Sequence, residues 1–316
     1  MLRDAVRFRL LVALPVALIL FSGCAAVHKP LDPALLASID QTNMRTAVLQ
    51  EEISIYVEKS TTGDVVAGGG GLCCMIIGSA IDKSVDASRS RRAEEWVAPL
   101  LEQTPDVDYR KDFWEAVLPT LHSLSWLKLG ETELTAEAGQ MAGVQLNTNI
   151  KKAAGDVPEE WLEDDVLLLS SRYQLTADGR RLVVTTSVQY WAEPKKKPSY
   201  YAFHSYYSPT AEAEDPEGCL AEWAAGGAVK YRAELARAID ETMIMIRHDL
   251  PLADGGTGHL AGTPAVVKAK HILGVGSTAG HILEKAGDRV VFRLQGGNLV
   301  SLPLDEIEIT EKKGRS

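Results

Sequence analysis

The stretch VLLLSSRYQLTADGRRLVVTTSVQYW, residues 166–191, decides the fold. Two runs rich in β-branched and aromatic residues, Val166–Leu175 and Leu182–Trp191, flank Asp178-Gly179, a dipeptide suited to a tight hairpin because glycine accepts positive φ. Leu167, Leu169, Tyr173 and Leu175 alternate with polar partners, as do Leu182, Val184, Val188 and Tyr190, so each strand buries one face. A Pro-flanked lysine loop, Pro194–Pro198, leads to a third run, Tyr200–Tyr207. The three make a meander.

Reading towards the C-terminus, Asp215-Pro216 has the form of an N-cap followed by a first-turn proline. Tyr231, Leu235, Ile239, Met243, Ile246 and Leu250 then recur at spacings of three and four, which predicts one long helix to Leu250 lying across the sheet. Asp254-Gly255-Gly256-Thr257-Gly258 breaks the pattern. Beyond it, Ala265–Thr310 is turn-rich, with Arg289–Leu294 and Leu299–Leu304 around Gly296-Gly297-Asn298, and predicts a small β unit, either a barrel of the SH3-like type or a unit packed on the main domain.

Towards the N-terminus, Arg45–Lys59 alternates as a single strand. Val65–Ile81 carries no charge over seventeen residues and opens with four consecutive glycines, Gly68–Gly71. Asp82–Leu101 reads as a helix, and Lys111–Leu124 as another, with Pro119 inside it; Ser125–Thr135 reads as a strand. Together these elements predict an α+β fold, an antiparallel-rich sheet covered by helices on one face, plus a small C-terminal β unit. The expected organisation is a leader over 1–23, a tether over 24–37, an α+β domain over 38–252 containing the Gly-rich segment 65–81, a linker over 253–263 and a β-rich unit over 264–316.

The first 23 residues have the layout of an export signal: Arg3, Arg7 and Arg9, then the apolar run Leu10–Phe21, then small residues. That run is too short to span a bilayer. Phe21-Ser22-Gly23-Cys24 resembles the lipobox of bacterial lipoproteins, with Phe21 in place of the usual aliphatic residue. The resemblance implies lipidation of Cys24, and Ala25 after it implies sorting to the periplasmic face of the outer membrane. Removing the leader's three arginines and one aspartate leaves 30 basic and 42 acidic residues, a net charge of −12. So acidic a chain is repelled by nucleic acid, which argues against that class of partner.

Of the four cysteines, Cys73, Cys74 and Cys219 remain once Cys24 is set aside. Cys219 could pair with either of the other two in an oxidising compartment, or all three could serve as small hydrophobes. Adjacent cysteines do not provide zinc spacing. As a helix, residues 65–81 would be about 25 Å long and would align Gly70, Cys74 and Gly78 on one small-residue face. These three define a candidate membrane-contacting or self-associating segment; the competing reading is a buried glycine loop and helix, since glycine costs a helix about 1 kcal/mol relative to alanine.

Gly274-Val275-Gly276-Ser277-Thr278-Ala279 imitates a dinucleotide fingerprint, yet too little chain follows for the βαβ units such a site needs. His271 and His281 recur ten apart without a carboxylate cluster, a pattern of packing more than of metal binding. Ser277 lacks the glycine frame of a nucleophile elbow. No catalytic set, metal set or cofactor motif emerges. Tyr200, Tyr201, Phe203, Tyr206 and Tyr207 gather aromatic area that either serves a partner or, more ordinarily, fills the core on alternate sides.

Gln50-Glu51-Glu52-Ile53, the Gly68–Asp82 segment, Arg91-Arg92-Ala93-Glu94, the aromatic strand Tyr200–Tyr207 and a closing helix containing Trp223 together resemble a group of bacterial outer-membrane lipoproteins with a Gly-rich apolar segment. That resemblance covers roughly residues 40–250 and implies no activity. A more distant, fold-level likeness is to envelope-assembly lipoproteins such as the curli secretion lipoprotein. The expected function is a non-enzymatic cell-envelope lipoprotein, held to the membrane by lipid on Cys24, that binds an envelope protein or assembles with itself. The alternatives are a pore or secretion component whose Gly-rich segment contacts the membrane and, from a third class, an envelope hydrolase with dispersed residues.

Overall fold

The structure is a computed structural model that describes residues 28–48, 53–55, 95–135, 165–192, 198–250, 262–273 and 277–311. Cys24, the run containing Gly70, Cys74 and Gly78, the Gln50-Glu51-Glu52 and Arg91–Glu94 motifs, and the loop Lys195–Lys197 lie outside the described residues.

The hairpin and meander form as the sequence predicts. Strand β4 (Val166–Leu175) pairs antiparallel with β5 (Leu182–Trp191) along its whole length, and β5 pairs antiparallel with β6 (Tyr200–Tyr207). Gly179 turns the chain at φ +68°, where a side chain would be strained. Asp178 Oδ1 accepts from Thr176 Oγ1 and from the Arg180 amide, which closes the turn.

The sheet as a whole is mixed but mostly antiparallel, so the antiparallel-rich expectation holds in part. Six pairings are antiparallel and four parallel. On one side of β4 lie β1 (Thr42–Ala47), which runs parallel to it, and β3 (Leu129–Thr135), which runs parallel to β1. Between β1 and β3 in the chain comes helix α2 (Tyr109–His122), and parallel neighbours need such a crossover. The described residues of Arg45–Lys59 fall in two strands. These are β1 and the short β2 (Ser54–Ile55), and pairing on β4 jumps from Ala47 opposite Ser170 to Ser54 opposite Gln174, seven residues against four.

The C-terminal strands also join this sheet. β7 (Thr263–Lys268), β8 (Thr278–Ala286), β9 (Arg289–Leu294), β10 (Leu299–Pro303) and β11 (Glu308–Glu311) run in the order β11-β7-β8-β9-β10, and β10 then pairs parallel with β6. They keep a core of their own, in which Ala265, Val267, Ile282, Val290, Phe292, Val300 and Leu302 pack with Tyr207 of β6. The small β unit is therefore an extension of the main sheet and not a separately spaced body.

Helix α1 (Pro33–Leu36) is a single turn after the N-terminal segment. Helix α3 (Pro216–Asp249) begins as expected, with Asp215 accepting from the Gly218 amide at 2.8 Å. Its stripe Tyr231, Leu235, Ile239, Met243, Ile246 and Leu250 is buried in one cluster with Leu167, Leu169, Tyr173, Val184, Val188 and Tyr190 of the sheet and Phe113, Val117 and Leu121 of α2. Each such side chain contributes roughly 1.5–3 kcal/mol by leaving water. Contrary to the expectation of one continuous helix, the chain leaves helical geometry at Ala225–Ala228, where Gly226, Gly227 and Ala228 sit at φ +61°, +75° and +60°. Two adjacent glycines make this left-handed turn affordable. Among the described residues, no helix is long and apolar enough to cross a membrane.

Candidate functional site

The last turn of α3 carries a carboxylate where the helix dipole disfavours one, and the fold gathers donors around it. Asp249 is fully buried, its side chain 0% exposed. Oδ1 accepts from Arg293 Nη1 at 2.6 Å and lies 3.1 Å from His28 Nε2. Oδ2 accepts from Tyr200 OH at 2.5 Å and lies 3.1 Å from His204 Nε2. The four donors come from the N-terminal segment, β6 and β9, so one carboxylate joins the chain's first described residue to both sheet halves.

Electrostatics fix the charge states. Burial by itself would raise the Asp249 carboxyl, but the hydrogen bonds and field of His204 and His28 hold it well below the usual carboxylate range. The Tyr200 hydroxyl is pushed well above its ordinary range by burial and by the Asp249 charge beside it. His204 Nδ1 finds no partner among the described residues, and Nε2 is the ring nitrogen that donates to the Asp249 carboxylate. The group is an ionic knot: an anion neutralised by Arg293 and clamped by two imidazoles and a phenol.

His28 is seated by more than this bond. Its amide donates to Gly296 O at 3.1 Å, Lys29 bridges to Tyr201 through both backbone groups, Lys29 Nζ donates to Pro198 O at 2.8 Å, and Leu31 is buried. Residues read as a tether are, from His28 onward, part of the domain. Catalysis at the knot has a geometric obstacle, since the side chains of His28, His204, Asp249 and Arg293 are 0–5% exposed.

At the opposite end of β6 lies a half-open cleft of ≈ 440 Å³ lined by Thr176, Asp178, Arg180, Arg181, Thr210 and Glu306. Arg181 is saturated there: Nη1 donates to Ser208 O at 2.6 Å, and Nη2 donates to Thr210 and to Glu306. Burial tends to raise the Glu306 carboxyl, yet the bonds from Arg181 and Thr210 bring it below its usual value. Two cations and two anions line the cleft. It therefore selects no strong charge.

The residues singled out from sequence fare differently. Ser277 precedes β8, and the short helix α4 (Lys270–Leu273) lies before it, so the order is helix then strand, the reverse of a dinucleotide site. His281 sits on β8 opposite Arg293, and His271 is in α4; among the described residues no cluster of three metal-ligating side chains occurs. Cys219 is buried and unbridged among the described residues, its thiol 3.2 Å from Ala213 O and raised from its ordinary pKa chiefly by burial. Trp223 donates to Gly179 O at 2.8 Å, pinning the first part of α3 on the hairpin turn. Tyr200 and Tyr206 face the helices, while Tyr207 joins the C-terminal core. The sequence reading missed the knot altogether. Its signals were Asp249 in a last helical turn, His204 at a core-facing position between Ala202 and Tyr206, and Arg293 inside an apolar strand.

Set beside known proteins, the chain matches no family model and no curated protein sequence.

Proposed function

We propose that this chain is a non-enzymatic cell-envelope lipoprotein, attached by lipid on Cys24 to the periplasmic face of the outer membrane, whose α+β domain binds or assembles with other envelope components. The observation that carries the reading is the seat of His28. A segment that enters the domain four residues after a lipidated cysteine, and is locked there by a buried carboxylate, suits a protein that must stay joined to its anchor. The strand order β11-β7-β8-β9-β10, with a 3-10 turn before β11, suits an SH3-like unit merged with the antiparallel meander. The likeness to outer-membrane lipoproteins with a Gly-rich segment belongs to the same reading.

The test is metabolic labelling with palmitate followed by membrane fractionation and cross-linking in intact cells. Label on the wild type, its loss in Cys24→Ala and a cross-linked partner or oligomer are expected. Unlabelled protein, or a labelled protein that never cross-links, would count against the two halves of the proposal separately.

A second reading is favoured by the uncharged run around Gly70, Cys74 and Gly78, which is suited to membrane contact in a pore or secretion component. Complete release of Cys24→Ala from membranes by alkaline carbonate would exclude it.

A further inference from the structure

We infer that the protein stands on the membrane in one fixed orientation, with the edge formed by Lys29, Pro30 and the Gln295–Gly297 turn resting on the lipid headgroups and the Arg181–Glu306 cleft turned away. The inference rests on the lipid-anchored reading above.

Chain length sets the geometry. From Cys24 to His28 there are four Cα steps, which span at most about 14 Å when fully extended. Headgroup layers occupy roughly 5–8 Å on each side of the hydrocarbon. A domain attached through His28 therefore cannot stand clear of its membrane. The point of attachment is fixed on the domain, because His28 is held by Asp249 and Gly296, Lys29 by Tyr201 and Pro198, and Leu31 by the core. Nearest the anchor, Lys29, Pro30, Gln295 and Gly296 are exposed. Lys29 and Asp32, which caps α1 with an Ala34 bond of 2.9 Å, are the two charges among residues 29–32 and 295–297 and offset one another, which suits a zwitterionic surface.

The cleft lies at the far end of the same strands. Tyr200 of β6 binds in the knot, whereas Arg181 holds Ser208, the residue after Tyr207. Eight residues of strand separate the two ends by about 23 Å. β10 runs parallel to β6, so Leu299 is near the knot and Glu306, after Pro303, is near the cleft. Anchor and cleft thus occupy opposite poles.

The experiment places a genetically encoded fluorescent amino acid at exposed position 295 or at exposed position 177 of the lipidated full chain, reconstituted in phosphatidylcholine vesicles carrying a headgroup-region quencher. Quenching at 295 is expected to exceed that at 177 by at least about threefold. Inserting about ten Gly/Ser residues between Ala25 and Ala26 should remove most of that difference, since the longer chain frees the domain. Vesicle-bound protein quenched equally at both positions would overturn the orientation while leaving the anchor intact. Contrast unchanged by the insertion would show that the short anchor does not impose it. Failure of the lipidated sample to bind vesicles would remove the anchored reading and this inference with it.

Discussion

Arg293 reaches Asp249 across the interface between β9 and α3, Nη1 to Oδ1 at 2.6 Å, one repeat beyond Arg289, which lies 3.8 Å from Glu241. The two registers match. Eight residues of helix from 241 to 249 rise about 12 Å, and four residues of strand from 289 to 293 advance about 13 Å. Two arginines on one face of β9 therefore meet two carboxylates on one face of α3. Arg289 also donates to Ser301 Oγ and to Tyr207 O, and its guanidinium lies 4.2 Å over the Tyr206 ring. This charged seam, together with the buried apolar contact of Met245 with Val291 and Leu299, lays the C-terminal strands against α3.

Breaking one member of the seam should cost more than removing both. Asp249→Asn leaves the Arg293 guanidinium buried without its counter-charge, which costs about 3–5 kcal/mol. Asp249→Asn combined with Arg293→Met removes both charges while the amide oxygen still accepts from the knot's other donors, and should recover a good part of that loss. Urea unfolding of the single and double variants decides it, and a double variant no better than Asp249→Asn would mean the arginine is compensated elsewhere.

The knot also sets the pH range of stability. A carboxyl held below its unfolded value of 3.8 contributes stability that is present above that value and lost as pH falls through the folded one. Tyr200, raised from 10.0, contributes stability that is present below that value and lost as pH climbs towards its folded pKa. Wild-type stability should therefore hold between about pH 5 and pH 9 and decline on both sides. In Asp249→Asn the acid decline should be shallower, and in Tyr200→Phe the alkaline one.

The meander and the start of α3 were legible because their signals are local: Asp178-Gly179 for the turn, alternation for the strands, Asp215-Pro216 for the cap. What escaped is non-local. Parallel neighbours announce themselves by no hairpin residue, so the places of β1 beside β4 and of β10 beside β6 could not be counted from turns. The knot escaped for a related reason: His28, Tyr200, His204, Asp249 and Arg293 are separated by up to 265 residues and share no spacing. The sharpest of its local traces, an aspartate in a last helical turn, conflicts with the helix dipole and acquires a reason only when Arg293 stands opposite. The break in α3 was readable at Gly226-Gly227, but the unbroken apolar stripe from Tyr231 onward outweighed it.

That break supplies a clean backbone test. A Cβ at Gly226 or Gly227 meets nothing within 4 Å, so any cost of alanine there is conformational. Gly227→Ala at φ +75° should lose about 1–2 kcal/mol in urea unfolding. Ala228→Gly has opposing terms, relief of strain of about 1–2 kcal/mol against a buried methyl of about 0.8 kcal/mol, and should change stability little. A neutral Gly227→Ala would mean that the left-handed turn re-forms as helix.

Gly297 joins the backbone argument to the anchor. It sits at φ +93°, and a Cβ there would overlap His28 Cβ and ring atoms, so the β9–β10 turn and the N-terminal segment fit only with glycine. Gly297→Ala should lose about 1–3 kcal/mol of global stability, with the larger effect local. Displaced from Asp249 and from Gly296 O, the segment His28–Leu31 should exchange its amide hydrogens at least about tenfold faster, while the amides of β4 and β5 slow-exchange as before. His28→Ala should reproduce the fast exchange at Lys29 without the turn strain. If both variants kept wild-type protection over 29–31, the Lys29–Tyr201 bridge alone would be enough to hold the entry of the chain.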